Sequence, residues 1–577
     1  MRSNVFYFFF IIFFIILITT CSEPDLKQDN NYRTIPDTPT GISIIVNSSS
    51  SVTINWNSVS GASGYYIYRN TSISDSFNQV GFSTSSSYTD TGLSEDTTYF
   101  YKVSAINSYG TSSQSILTDY SEARTLSGIS FGTSLEEKLQ WLKLNAESNT
   151  EYKFEITEDE YFNNYLYLSF PEKENIIIRL FSLSNEKFIY SKYASVFWLG
   201  AGVTLILDNN ITLYGDPKYN NHIVLLNDNS KLIMNKGSCI NGNLTNGIIV
   251  IDGNIYMNDG NIINCDEYAV YLYPNNNFIM NNGKISNNLN RGVFSHEATF
   301  IMNNGEISNN IIGVTSSGSF TMYDGRIYNN IIGVTSHGIF NMIEGEISNN
   351  NQYGVIANGF NSIFNLFNGE ISNNYINGIS IGGSGTVIMH NGSIKSNSLG
   401  GVSLSHYCTF TMYNGIISNN KGENGVGVNI FGNDAVFTMN GGKICNNLAG
   451  TVYYPGMLAI EYYRGEGAGV AVGGSATFIM NGGEISGNSA IDDFYKLESN
   501  GGGVYLKFYG TFYFTNGVIY GINEGENSNY AIYGSAFFDD LVHTKAQYGS
   551  FINGIWNSNG NLSTTNSTIR VINGILQ

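Results

Sequence analysis

From Leu232 to Phe514 the chain repeats one block of apolar and polar positions. Two clean copies read Phe300-Ile301-Met302-Asn303-Asn304-Gly305-Glu306-Ile307-Ser308-Asn309-Asn310 and Phe320-Thr321-Met322-Tyr323-Asp324-Gly325-Arg326-Ile327-Tyr328-Asn329-Asn330. Taking the methionine as anchor, the block recurs at Met234, Met257, Met280, Met302, Met322, Met342, Leu366, Met389, Met412, Met439, Met480 and Phe514. An apolar residue, usually Phe, stands two positions before each anchor. This period of two places both side chains on one side of a strand. A glycine stands three positions after every anchor, and Asn or Asp precedes it in eight of the twelve copies, which predicts a sharp turn. Two residues past the glycine an apolar residue returns, as at Ile262, Ile285, Ile307 and Ile327, and predicts a second strand. A third reads Gly-Val, as at Gly292-Val293, Gly313-Val314, Gly354-Val355 and Gly401-Val402.

Three short strands in about 22 residues cannot fold alone and must stack on their neighbours. The pattern predicts an all-β parallel β-helix and lacks the leucine-and-asparagine framework of a leucine-rich repeat. Rungs about 4.8 Å apart give twelve of them a length of roughly 55–60 Å. Eight residues after the anchor, Asn recurs at Asn288, Asn310, Asn330, Asn350, Asn374, Asn397, Asn420, Asn447 and Asn488. Stacked asparagines hydrogen-bond from rung to rung, so this column reads as structural, as do the Phe and Met columns.

The flanking segments have other patterns. Residues 37–126 alternate in short runs such as Val52-Thr53-Ile54-Asn55-Trp56, Tyr66-Ile67-Tyr68 and Tyr99-Phe100-Tyr101-Lys102-Val103, separated by Ser/Asn/Gly turns, which predicts a β-sandwich. Ser134-Leu135-Glu136-Glu137 is a capping box, and Leu135, Leu139, Leu142 and Ala146 share a helical face. A helix over 134–147 is expected to close the N-terminal end of the solenoid, with irregular rungs filling out residues 127–230. The regular rungs occupy 231–530. Residues 531–577 lose the motif, stay β-rich and read as the C-terminal cap.

Composition narrows the functional classes. Charged residues are 13% of the chain and the net charge is −19, which argues against nucleic acid as a partner. Five cysteines without a CxxC are too few for a disulfide framework. Cys239 takes the inward position that Ile holds in other rungs, Cys265 takes the asparagine column, and Cys408 and Cys445 lie within rungs; all four read as small buried hydrophobes.

At the N-terminus Arg2 precedes an uncharged apolar run from Val5 to Ile18, short for a membrane span and suited to a signal-peptide core. Leu17-Ile18-Thr19-Thr20-Cys21 follows and resembles the lipobox of bacterial lipoproteins, with Thr20 in place of the usual small residue, a relaxation known among spirochaete lipoproteins. The resemblance implies removal of residues 1–20, lipidation of Cys21, and a tether over 21–36 that holds the chain at a membrane, on the outer membrane or cell surface. An uncleaved signal anchor is the alternative. Residues 37–126 resemble fibronectin type III domains. The resemblance rests on Trp56, on Gly64-Tyr65-Tyr66-Ile67-Tyr68-Arg69, on Gly92-Leu93-Ser94 before Thr98-Tyr99-Phe100-Tyr101-Lys102-Val103, and on Ala105-Ile106-Asn107, with Leu93 and Tyr99 at the tyrosine corner. Nearly the whole chain resembles repeat-rich bacterial lipoproteins with a pectate-lyase-like right-handed parallel β-helix. That resemblance implies a fold and a surface location, not a reaction.

Polysaccharide lyases and hydrolases on such a fold need clustered carboxylates, with roughly 5–9.5 Å between the pair in glycosidases. The position after the repeat glycine reads Lys284, Glu306, Arg326, Glu346, Glu370, an alternating ladder in which Glu346 and Glu370 are the like-charged neighbours. His222, His296, His337, His390, His406 and His543 fall at differing rung positions without metal-ligand spacing. No catalytic residue, metal or cofactor is therefore assigned. Two insertions break the spacing: anchors Met439 and Met480 are 41 residues apart, and Met480 and Phe514 are 34 apart. They carry Tyr453, Tyr454, Tyr462, Tyr463 and Arg464, and then Phe494 and Tyr495, which form a candidate binding loop. A degenerate extra rung is the competing reading. The functional expectation is a surface protein that binds an extracellular glycan or host protein. The alternatives are a carbohydrate-active enzyme and a structural envelope component.

Overall fold

A computed structural model describes residues 35–48, 50–94, 97–115, 122–125, 133–192, 195–218, 222–450, 465–491, 499–541 and 544–577. The chain divides into two compact units, Met1–Ser130 and Phe131–Gln577. Cys21, the apolar leader and most of the tether lie outside the described residues.

The first unit is a sandwich of two antiparallel sheets. One holds Ser43–Ser48, Ser51–Asn55 and Ser87–Thr91; the other holds Asn78–Ser83, Gly64–Asn70, Thr98–Asn107 and Gly110–Thr111, with Glu122–Arg124 also paired to Thr98–Asn107. Alternation along these strands turns Val52, Ile54, Ile67, Tyr101 and Val103 into one buried core. Trp56 packs edge-on against Tyr65 at 5.2 Å between ring centroids. The Ser94 N–H donates to the Tyr99 hydroxyl at 2.9 Å, closing the tyrosine corner expected from Leu93 and Tyr99. Asp90 is buried, and takes Arg69 Nη1 at 2.7 Å and the Tyr101 hydroxyl at 2.8 Å.

The second unit is a parallel β-solenoid with three faces. The Phe and Met positions form a 17-stranded sheet, the Ile positions a second of 17, and the Gly-Val positions a third of 15. Identical positions sit in register: Phe300 pairs with Phe320 and Met302 with Met322. The buried phenylalanines stack at 4.6–4.9 Å between centroids, from Phe278 through Phe300, Phe320 and Phe340 to Phe364. That spacing is the strand-to-strand distance, so a single side-chain type repeated at one position builds a column through the core. One apolar cluster extends from Leu135 to Val571.

The repeat glycine is required twice over. Its φ is positive in every copy, +106° at Gly305 and +98° at Gly325. A Cβ at Gly305 would also lie 2.6 Å from the Met280 Cε of the preceding rung. In the bend between the second and third sheets the first Asn of each pair takes a left-handed conformation, for example Asn309 and Asn329. The second Asn turns inward and is buried.

Both ends are closed as the pattern implies. The helix is Leu135–Asn145, with the Ser134–Glu137 capping box formed and Leu135, Leu139 and Leu142 buried in the solenoid core. At the other end Ile555–Asn561 pairs antiparallel with Lys545–Ile552, and Ile569–Ile572 pairs antiparallel with Gly517–Ile519. The reversal ends the parallel stack.

Two expectations about register are corrected. Cys239 is not the inward residue of its rung: it aligns with Thr212 and Asn261 on the outer face, while Ile240 is buried and aligns with Ile262. The turn after Gly237 holds one residue more than later copies, which moves the inward position from two residues past the glycine to three. Nor is the 41-residue interval a degenerate rung. Phe437 pairs directly with Phe478 and Met439 with Met480, and the following rung pairs Phe478 with Phe512 and Met480 with Phe514. Each interval is one rung carrying an insertion.

Candidate binding surfaces of the solenoid

The two insertions leave from one corner. After the asparagine bend, Leu448–Ala449 and Ser489–Ala490 pair in parallel, and with Lys421–Gly422 they form a small fourth sheet. The chain departs after Gly450 and Ile491 and returns at Gly465 and Ser499. A Cβ at Gly465 would lie 2.5 Å from the Ala449 carbonyl and 2.8 Å from that of Ile491, so the bases of the insertions touch. Beneath them Val426, Ala449, Ala468, Ala490 and Ala531 form a small apolar cluster of their own. Tyr453, Tyr454, Tyr462, Tyr463 and Arg464, like Phe494 and Tyr495, lie outside the described residues.

Residues at the foot of this corner escape the motif analysis. Lys507 Nζ pairs with Glu466 Oε2 at 2.9 Å across 41 residues of chain and also sits over the rings of Tyr505 and Phe508, 5.8 and 5.3 Å from their centroids. Burial, reinforced by the carboxylates of Glu466 and Asp540, holds the Tyr505 phenol above its ordinary range. Tyr505 stays a neutral hydrogen-bonding group beside an ion pair. No local motif announces this cluster, because Glu466 and Lys507 are 41 residues apart and meet only across adjacent rungs.

The charged column is an ion-pair ladder. Lys284 meets Glu306 at 3.4 Å, Arg326 lies 4.0 Å from Glu306 and 3.2 Å from Glu346, and the Tyr328 hydroxyl donates to Glu306 at 2.8 Å. The Tyr328 bond, followed by Lys284 and Arg326, outweighs partial burial and holds the Glu306 carboxyl below its usual range. Glu346 and Glu370 are register neighbours, yet they do not face each other without a cation. Lys395, from the parallel outer column, meets Glu370 at 2.5 Å. These side chains are about a third exposed, so each pair contributes under ~1 kcal/mol.

Histidines and cysteines stay dispersed. His296 Nδ1 lies 3.3 Å from Ser317 Oγ; among the described residues no carboxylate is bonded to the other ring nitrogen, as a Ser–His–acid triad requires. His390 stacks between Phe367 at 4.5 Å and Tyr413 at 5.7 Å. Among the described residues no three of His, Cys, Asp and Glu converge as a metal site, and no helix is long and apolar enough to cross a membrane. Cys265 and Cys408 are fully buried, and the Cys265 N–H donates to Asn288 Oδ1 at 2.9 Å, placing it in the asparagine column. Burial pushes the half-buried Cys239 thiol up to about 12.

Comparison with known proteins places the first unit. Residues 37–119 match the fibronectin type III domain family. A poly(3-hydroxybutyrate) depolymerase of Ralstonia pickettii is 44% identical over 69 residues, which are 12% of this chain and 13% of that enzyme. Among solved structures, an Fn3-like protein from Clostridium thermocellum is 29% identical, covering 15% of this chain and 86% of that one, with a TM-score of 0.13. The fn3 domain of human contactin 1 is also 29% identical, covering 16% and 78%, with a TM-score of 0.14. The family match, the formed tyrosine corner and the paired sheets converge: residues 37–119 are a fibronectin type III domain, and the chain joins it to a parallel β-solenoid.

Proposed function

We propose that the protein is an exported surface protein, anchored through a lipidated Cys21, that presents its solenoid for binding or adhesion to an extracellular glycan or host protein. The fibronectin type III domain serves as a spacer. The observation that supports this reading is the corner at which Ala449, Gly465 and Ile491, the described ends of two insertions carrying aromatic residues, meet on adjacent rungs. A rigid stack that inserts two aromatic-bearing segments at one corner offers a place for recognition at little ordering cost to the scaffold. Acyl chains on Cys21 would add about 0.8 kcal/mol per buried CH₂, enough with several chains for stable attachment.

The test is a glycan-array and host-matrix binding screen with the full chain and a variant lacking 451–464 and 492–498. Specific binding lost in the variant is expected; binding equal in both, or absent from both, overturns the reading. Fatty-acid labelling of the expressed protein, abolished by Cys21→Ser, is expected for the anchor, and a labelled variant sinks it.

One observation favours a second reading. The 69-residue similarity to an enzyme named poly(3-hydroxybutyrate) depolymerase, and the use of β-helices by carbohydrate-active enzymes, motivate an assay for soluble products from that polyester, pectin, alginate and glycosaminoglycan. Turnover of any of these by the purified chain would replace adhesion with catalysis.

A further inference from the structure

Three tyrosines stand one above another on the outer face of the Ile-bearing sheet, at the opposite end of the solenoid from the insertions. Tyr161, Tyr190 and Tyr214 occupy equivalent register positions in the first three rungs of that sheet. Farther along, the same column holds Asn241, Ile263 and Ser286, so the aromatic run is local. The rings of Tyr161 and Tyr190 are parallel, 4.7 Å apart and 4° from coplanar orientation. Tyr214 is tilted 60° from Tyr190 at 5.2 Å, which opens a notch rather than continuing the stack. Tyr161 is on the edge strand and is 72% exposed. A phenol held against a second ring yet left this open to water is an unused aromatic face.

The notch is a cleft of about 320 Å³, and besides the rings it is lined by Asn163, Lys192, Asp216 and Asn243. Asn243 has a left-handed backbone and is held by its Nδ2 bond to the Gly215 carbonyl at 3.1 Å. Flat aromatic faces beside amide, ammonium and carboxylate groups match one ligand chemistry. A pyranose ring turns its C–H face to an aromatic plane and its hydroxyls to mixed donors and acceptors. The local field selects among sugars. Burial first, then the neighbouring Tyr161 phenol and the carboxylates of Asp159 and Glu186, hold the Tyr190 phenol above its ordinary range. Asp216 in the lining and Asp159 and Glu186 nearby outnumber the Lys192 ammonium and disfavour uronate or sulfate groups.

We propose that the Tyr161–Tyr190–Tyr214 cleft is a binding site for a neutral oligosaccharide, with a sugar ring stacked on Tyr161. This site is separate from the insertion corner and does not depend on it.

The experiment titrates the full chain with cellohexaose, xylohexaose and mannohexaose, and with hexagalacturonate, by calorimetry and by tyrosine fluorescence. At least one neutral hexasaccharide is expected to bind. Tyr161→Ala should weaken it about three- to ten-fold, while Tyr161→Phe keeps most of the affinity. At 72% exposure Tyr161→Ala leaves the core untouched, and an unchanged melting profile checks this. A variant lacking 451–464 should bind these sugars like the parent, which separates this site from the loop reading. Absence of binding by all three neutral sugars overturns the proposal. So do preference for hexagalacturonate, indifference to Tyr161→Ala, and loss on deleting 451–464.

Discussion

A buried asparagine in this solenoid works in both directions along the axis. Asn397 Oδ1 accepts from the Asn374 N–H at 3.0 Å and from its Nδ2 at 3.0 Å, while Asn397 Nδ2 donates to Asn420 Oδ1 at 2.9 Å and to the Ile371 carbonyl at 3.3 Å. The ladder continues to Asn529, a rung beyond the nine asparagines expected from the anchor spacing; the extra residues between Tyr520 and Asn529, which include the turn Gly525–Asn527, displace it from its motif. Asn397→Ala leaves buried donors and acceptors unpaired above and below, and should cost about 3 kcal/mol. A lowered urea midpoint with faster hydrogen exchange in the flanking rungs would register it; an unchanged midpoint would show that the ladder is dispensable. Tyr101 in the sandwich makes a pH prediction. Burial, then the bonded Asp90, raises its phenol far above the ordinary value near 10. The folded state therefore keeps the proton that the unfolded state gives up. The contribution is complete below about pH 10 and is lost as pH rises above it. The urea midpoint of the sandwich should fall as pH rises above that value, and Tyr101→Phe should remove this part of the dependence. A midpoint in the parent that does not change with pH would contradict it.

At the scale of the strand and turn, the repeat glycine outweighs the charged column. Gly325 has φ +98°, and an added Cβ would lie 2.7 Å from both the Gly305 carbonyl oxygen and the Met302 Cε. Gly325→Ala should cost at least about 1–2 kcal/mol from backbone strain alone. Glu306→Gln, one step along in the previous rung, should cost under ~1 kcal/mol because its partners are solvated. Equal denaturation midpoints for the two variants would refute the ranking. This much is legible in the chain: glycine in all twelve copies marks the turn, and alternating signs mark an outer face. What the spacing hides is the reason for the glycine, since the methionine that fills the space above it belongs to the previous rung. Lys395 is likewise hidden: it reaches Glu370 from the neighbouring column, a diagonal that comparison of like positions does not test.

Through the solenoid, which is most of the molecule, stability is a sum over stacked rungs. Met439 pairs with Met480 and Val428 with Val470 across residues 451–464, and Gly465 returns beside Ala449. Replacing 451–464 by a short glycine-rich link should shift the thermal midpoint by no more than about 2 °C. A large drop would mean that the insertion is part of the fold rather than a passenger on it.

Phe-x-Met, the turn glycine and the asparagine pair recur at the same place in each rung, so local patterning announces the solenoid, its three faces and its structural column, just as Ser134 and Glu137 announce the cap. Cys239 on the outside, two insertions on one corner, the Glu466–Lys507 pair and the Tyr161–Tyr190 stack are contacts between rungs. They depend on how one turn of 20 to 41 residues is laid over the next, and a single added residue such as that after Gly237 changes which side chain faces the core. Strand registry is a long-range property, and it is settled only when the stack forms.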